Sequence, residues 1–168
     1  MADTDVAAKK KPLSDMRLIQ IASADNPKLL MAALTYPQAA SGLISFDQTR
    51  PHTTLQPFTW WTLVPVNADR TIFQIFFFPS DGNLCLAASA NTSGASLELS
   101  AVDPSNLLQL WQLNETKPGA QLITCHGQTT MQMGFPHDIP LKTMKLQLSP
   151  VPDTHETGDK FIIKDVTL

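Results

Sequence analysis

A few short stretches carry side chains able to grip or transform a small molecule. In GFPHDIPLK (134–142) an aromatic ring, an imidazole and a carboxylate, Phe135, His137 and Asp138, share one Pro-flanked loop. Together they could stack on a ligand and hydrogen-bond to it; a plain hairpin loop, where Pro and Asp are ordinary turn formers, is the competing reading. Tyr36, the only tyrosine, stands beside Pro37. Its ring either meets a ligand or folds over its own turn. Trp60 precedes Trp61. Neighbours on a strand point to opposite faces, so one goes in and one comes out. Trp60 is expected to face outward, beneath the loop that precedes it. In SNLLQLWQL (105–113) Gln109 sits two places before Trp111, and Asn91 lies among small polar residues.

Catalytic arrangements are not found. His52, His126, His137 and His155 fall in separate segments without metal-ligand spacing. Cys125 and His126 are sequence neighbours that would point apart on a strand, a poor nucleophile–base pair. No glycine-rich phosphate loop, nucleophile elbow or carboxylate pair for glycoside hydrolysis stands out. No enzyme activity, metal or cofactor is therefore expected.

The bulk composition narrows the partners. With 43% hydrophobic and 16% charged residues the chain is expected to fold rather than stay disordered. Its net charge of −3 argues against a nucleic-acid footprint. The one basic run, Lys9 to Lys11, lies in a polar tail, residues 1–14, expected to be flexible. The longest apolar-aromatic run, IFQIFFFP (72–79), is strand-sized and ends at Pro79, so no membrane insertion is expected. The N-terminus shows no apolar signal region. The expectation is a cytoplasmic protein, or one released without a signal peptide, with Cys85 and Cys125 as free thiols. Asn91-Thr92-Ser93 and Asn114-Glu115-Thr116 then read as chance matches to the glycosylation pattern.

The elements that must position these residues are strands. Short alternating runs recur between turn residues, and no sustained helical period competes with them. They also repeat as a set. Ile19-Gln20-Ile21, Leu29-x-Met31, Ile44-x-Phe46 and Trp61-x-Leu63 make one unit. Phe73-Gln74-Ile75, Leu84-x-Leu86, Leu97-x-Leu99 and Trp111-x-Leu113 make the next. Leu122, Met131-x-Met133, Leu146-x-Leu148 and Phe161-x-Ile163 make the third. Trp61, Trp111 and Phe161 stand at equal intervals of 50 residues. Twelve strands in three equivalent groups of four predict an all-β fold, a β-trefoil over residues 15–168, with repeats at about 15–66, 70–114 and 119–168. One aromatic per repeat is then a core position.

The middle unit, GNLCLAASANTSGASLELSAVDPSNLLQLWQL (82–113), resembles a ricin-B-type lectin repeat. The similar parts are the Gly-x-Leu-Cys-Leu opening, the Leu-x-Leu third strand and the closing Gln-x-Trp. Thr59-x-Trp61 and Asp159-x-Phe161 match more weakly. The resemblance implies a trefoil related to carbohydrate-binding modules. In that family an aspartate early in the second strand and an aromatic at the end of the third grip the sugar. Those positions align with Ala32, Ala87 and Gly134, and with Asp47, Ser100 and Ser149. The family's galactose-binding pair is thus absent from every unit. The family's disulfide partner for Cys85 would align near Val102, so that bond is absent too.

The expected function is non-enzymatic recognition of a glycan or glycoprotein through loop residues, with candidates Tyr36, Trp60, Asn91, Gln109, Phe135, His137 and Asp138 and with a homodimer left open. Two alternatives stay open. One is a trefoil protease inhibitor inserting DQTRPHTTLQPF (47–58), with Arg50 before Pro51. The other is a structural or interaction module, such as a subunit of a toxin or oligomer.

Overall fold

The computed structural model describes residues 17–33, 44–47, 56–134, 146–151 and 160–167. Outside them lie the N-terminal tail, Tyr36, the Arg50 stretch of the inhibitor-type loop, and Phe135, His137 and Asp138.

The described chain forms twelve strands in three sets of four. The first set is β1 (Arg17–Ser23), β2 (Leu29–Ala32), β3 (Ile44–Asp47) and β4 (Trp61–Pro65). The second is β5 (Ile72–Phe77), β6 (Leu84–Ala88), β7 (Leu97–Ala101) and β8 (Trp111–Lys117). The third is β9 (Ala120–Cys125), β10 (Gln128–Gly134), β11 (Gln147–Pro150) and β12 (Phe161–Asp165). Among the described residues the helical content is three 3-10 turns, Gln56–Thr59, Phe78–Ser80 and Leu107–Gln109.

The outer strands of the sets close into a six-stranded antiparallel barrel. β1 pairs with β4, β4 with β5, β5 with β8, β8 with β9, β9 with β12, and β12 with β1 again. Closure removes the barrel's own edges. The inner strands form three hairpins, β2–β3, β6–β7 and β10–β11. Two of these hairpins are stitched together. Gly94 N–H donates to Leu148 O (2.8 Å), Leu148 N–H donates to Ala95 O (2.8 Å), and Ser96 bridges Gln147. This is the β-trefoil expected from the sequence.

The threefold repeat is carried into the core. Ile21, Ile75 and Ile123 hold one equivalent position and are fully buried. Trp61, Trp111 and Phe161 hold another, at 0%, 0% and 2% exposure. Their cross-strand partners differ in size: Phe77 faces Trp61, Cys125 faces Trp111, and Ser23 faces Phe161. A smaller residue opposite each aromatic is one way three unequal units share a single close-packed interior. Both indoles also satisfy their polar atom. Trp61 Nε1–H donates to Met31 O and Trp111 Nε1–H to Leu86 O, each at 3.1 Å. Met31 and Leu86 are thereby equivalent, and each indole ties its barrel strand to its own hairpin. Phe161 has no N–H with which to repeat this bond.

The strand register corrects one sequence alignment. Ser100 pairs with Cys85, and Ser149 pairs with Gln132. In the first unit the matching partner, opposite Leu30, is Phe46 rather than Asp47. The third-strand aromatic position is therefore occupied by a ring in one unit. Ala32, Ala87 and Gly134 do fall at one shared register point, paired with Ile44, Glu98 and Gln147. No carboxylate stands at the second-strand position, so the family's pair is still incomplete in all three units.

Candidate functional site

The trefoil has three equivalent junctions where one unit's fourth strand meets the next unit's first. Each is fixed by the same backbone bond. Phe78 N–H donates to Trp60 O (3.1 Å), His126 N–H to Leu110 O (2.8 Å), and Ala24 N–H to Lys160 O (2.9 Å). The backbone is repeated and the surface chemistry is not. The first junction presents two aromatic rings, the second an isobutyl group and an imidazole, the third an ammonium and a methyl.

At the first junction the Trp60 and Phe78 rings meet edge to face, with centroids 5.8 Å apart and planes at 61°. This is a favoured aromatic arrangement. Trp60 is half-buried while Trp61, its neighbour, is fully enclosed. Phe78 is 41% exposed, unusual for so large an apolar group. The sequence treats Phe78 as the end of a strand-sized aromatic run. In the structure β5 stops at Phe77, a 3-10 turn runs from Phe78 with Pro79 as its second residue, and Phe78 lies at the surface.

The turn is braced from below. Ser80, buried, donates its hydroxyl to Phe77 O (2.7 Å), and Ser80 Oγ in turn accepts from Leu84 N–H (3.0 Å). Asp81 N–H donates to Phe78 O (3.1 Å), and Asn83 Nδ2–H donates to Ser80 O (2.9 Å). Asp81 and Gly82 follow in the left-handed region, at φ 54° and 82°. Asp tolerates that conformation better than most residues, and Gly takes it freely. An exposed carboxylate thus stands three residues from the exposed ring, on a hydrogen-bonded turn.

The second junction is built for support. Gln109 is fully buried and both ends of its amide are engaged. Oε1 accepts from Asp103 N–H (2.9 Å); Nε2–H donates to Ala101 O (2.8 Å) and lies 3.4 Å from Ser100 Oγ. The Leu107–Gln109 turn that carries it is capped by Asn106, whose side chain accepts from Leu108 N–H (3.0 Å). Asp103 accepts from the hydroxyl and amide of Ser105, which hold its carboxyl below its ordinary pKa. Gly127 lies against Leu107: a Cβ there would sit 3.0 Å from the Leu107 carbonyl carbon. The ligand role expected for Gln109 does not survive this placement. Its amide clamps the segment leaving β7 and has no surface to offer.

Asn91 is exposed on the β6–β7 connection, on a different element from Trp60. Phe78 and Asp81, which accompany Trp60, are the residues that sequence reasoning missed. The signal that could have found Phe78 is the superposition of repeats, which places it level with His126 and Ala24.

The thiols are structural. Cys85 and Cys125 are free and fully buried. Burial pushes the Cys85 pKa up to about 12. Burial also raises that of Cys125, against the lowering effect of the Gly127 and Gln128 backbone N–H groups. Neutral thiols make poor nucleophiles. Among the described residues no group of His, Cys, Asp or Glu is arranged to hold a metal ion, and no helix is long and apolar enough to cross a membrane.

No protein-family model matches the sequence, and no curated protein matches it. Solved structures do match in fold. A designed three-fold symmetric protein, ThreeFoil, superposes with a TM-score of 0.73 at 8% identity, covering 89% of this chain and 99% of that one. A chain of the Haemophilus ducreyi cytolethal distending toxin gives 0.69 at 16% identity, over 95% of this chain and 88% of that one. The C-half of the earthworm R-type lectin, solved with GalNAc, gives 0.58 at 14% identity, over 89% and 99%. The chain is a β-trefoil, and its fold resembles that of the ricin-B-type lectins.

Proposed function

We propose that this protein is a non-enzymatic glycan-recognition module whose contact surface is the first junction. The observation that supports this reading is the ring pair of half-buried Trp60 and exposed Phe78, beside a hydrogen-bonded turn. Sugars present C–H faces that lie well on aromatic rings, and their hydroxyls need a polar partner nearby. Asp81 supplies an acceptor able to take two adjacent hydroxyls. The fold adds support, since the earthworm lectin that shares it was solved with a sugar. The site differs from the family's own, whose second-strand carboxylate has no counterpart here.

The test is a glycan array probed with the full chain and with Trp60→Ala. The expected result is binding by the native protein that weakens about tenfold or more in the variant. An array with no bound glycan for the native chain refutes the reading.

A further inference from the structure

Resting on that reading, we infer that the first junction takes a single uncharged terminal sugar, held end-on, rather than a stretch of polysaccharide. The shape of the ring pair carries the argument. Coplanar rings make a flat shelf along which successive sugars can lie. Trp60 and Phe78 stand at 61° with centroids 5.8 Å apart, so together they form a corner. One pyranose ring fills such a corner, with a C–H face on one ring and its rim against the other. A chain continuing from both ends of that sugar would run into one of the two rings.

The polar side of the corner points to the same ligand class. The described stretches that build it, 56–63 and 72–84, contain one charged residue, Asp81. Its backbone is left-handed and its N–H is tied to Phe78 O, so Asp81 belongs to the same short turn as the ring. A carboxylate accepts hydrogen bonds from hydroxyls and repels a uronate or sialic acid. Recognition of a sugar's free end needs vicinal hydroxyls that are not consumed by linkages, and a two-oxygen acceptor suits that.

The other two junctions sharpen the assignment. Leu110 with His126, and Lys160 with Ala24, share the backbone bond without offering a ring pair. One site per chain is therefore expected, although the fold repeats three times.

The experiment is calorimetric titration of the full chain with methyl galactopyranoside, methyl glucopyranoside, N-acetylgalactosamine, linear hexasaccharides of the same sugars, and galacturonate. The expected result is one site per chain, with affinities for a responding monosaccharide and its hexasaccharide agreeing within about threefold. Phe78→Ser and Asp81→Asn should each weaken it by about tenfold or more. Phe78→Ser alters an already exposed side chain, and a circular dichroism spectrum matching that of the native chain is the control that secures the comparison. Affinity rising about tenfold or more from one sugar to six overturns the end-on inference while leaving glycan binding intact. Galacturonate binding as well as the neutral sugars overturns it too. Sugar binding unaffected by Phe78→Ser and Trp60→Ala overturns the site itself. Silence toward every probe and toward the glycan array defeats the underlying reading.

Discussion

The first and second junctions use one backbone plan for opposite ends. In both, a fourth strand pairs with the next first strand, and one further N–H to C=O bond extends that pairing past the strand ends. Around the first, two rings come to the surface. Around the second, a glutamine, an asparagine cap and a close-set glycine draw the chain inward. The difference teaches that pseudo-symmetry fixes places and leaves their chemistry free. A trefoil can therefore hold its shape with one unit and meet its surroundings with another. It also predicts unequal sensitivity: changes at the second junction should cost stability, and changes at the first should cost recognition.

The largest effect is expected at Trp111, which anchors the second junction. Trp111→Ala removes a fully buried indole and its bond to Leu86 O. About 3–5 kcal/mol of stability should be lost, read as a lower denaturant midpoint. A loss under about 1 kcal/mol would mean that the core is not organised around its aromatic positions. Next comes Gln109→Ala, which strands the Asp103 N–H and the Ala101 carbonyl. About 1–3 kcal/mol is expected to go. If stability held and sugar binding failed instead, Gln109 would be a ligand residue after all and the contrast between junctions would collapse. The smallest effect belongs to Phe78→Ser at the first junction. Its ring is 41% exposed, so stability should change by about 1 kcal/mol or less, checked by the same unfolding curve. A much larger loss would place Phe78 among the supports and break the comparison from the other side.

The sequence makes much of this fold readable, for a physical reason. A strand's side chains alternate between faces, so buried positions recur every second residue, and a threefold core demands the same pattern three times. Trp61, Trp111 and Phe161 display that demand directly. The β3 register was harder to read. Ile44-x-Phe46 alternates as Leu97-x-Leu99 does, but alternation does not say which residue lies opposite Met31. In the structure that residue is Ser45, where Leu99 faces Leu86 and Leu148 faces Met133.

The site was legible only in part. Trp60 could be assigned outward because its neighbour belongs to the core set. Phe78 could not, because FFF reads as strand throughout. The turn forced by Pro79 and the contact back to Trp60 both depend on tertiary structure. Gln109 shows a general limit: a polar side chain that serves a ligand and one that serves the backbone look alike in sequence. The neighbouring turn formers, Asp103, Ser105 and Asn106, were the hint that its amide had work close at hand.

The seam between β1 and β12 has a mechanical consequence. These strands are antiparallel, with five residue pairs from Ile19–Asp165 to Ser23–Phe161. The two ends of the barrel thus leave it side by side, near the exposed Arg17–Asp165 ion pair. A tension drawing those ends apart would not shear the whole seam at once. It would load the outermost pair first and then each pair in turn, like a zipper. The barrel should therefore open readily under a pull on its termini and resist one applied across its middle, so a tether is best attached to an internal loop.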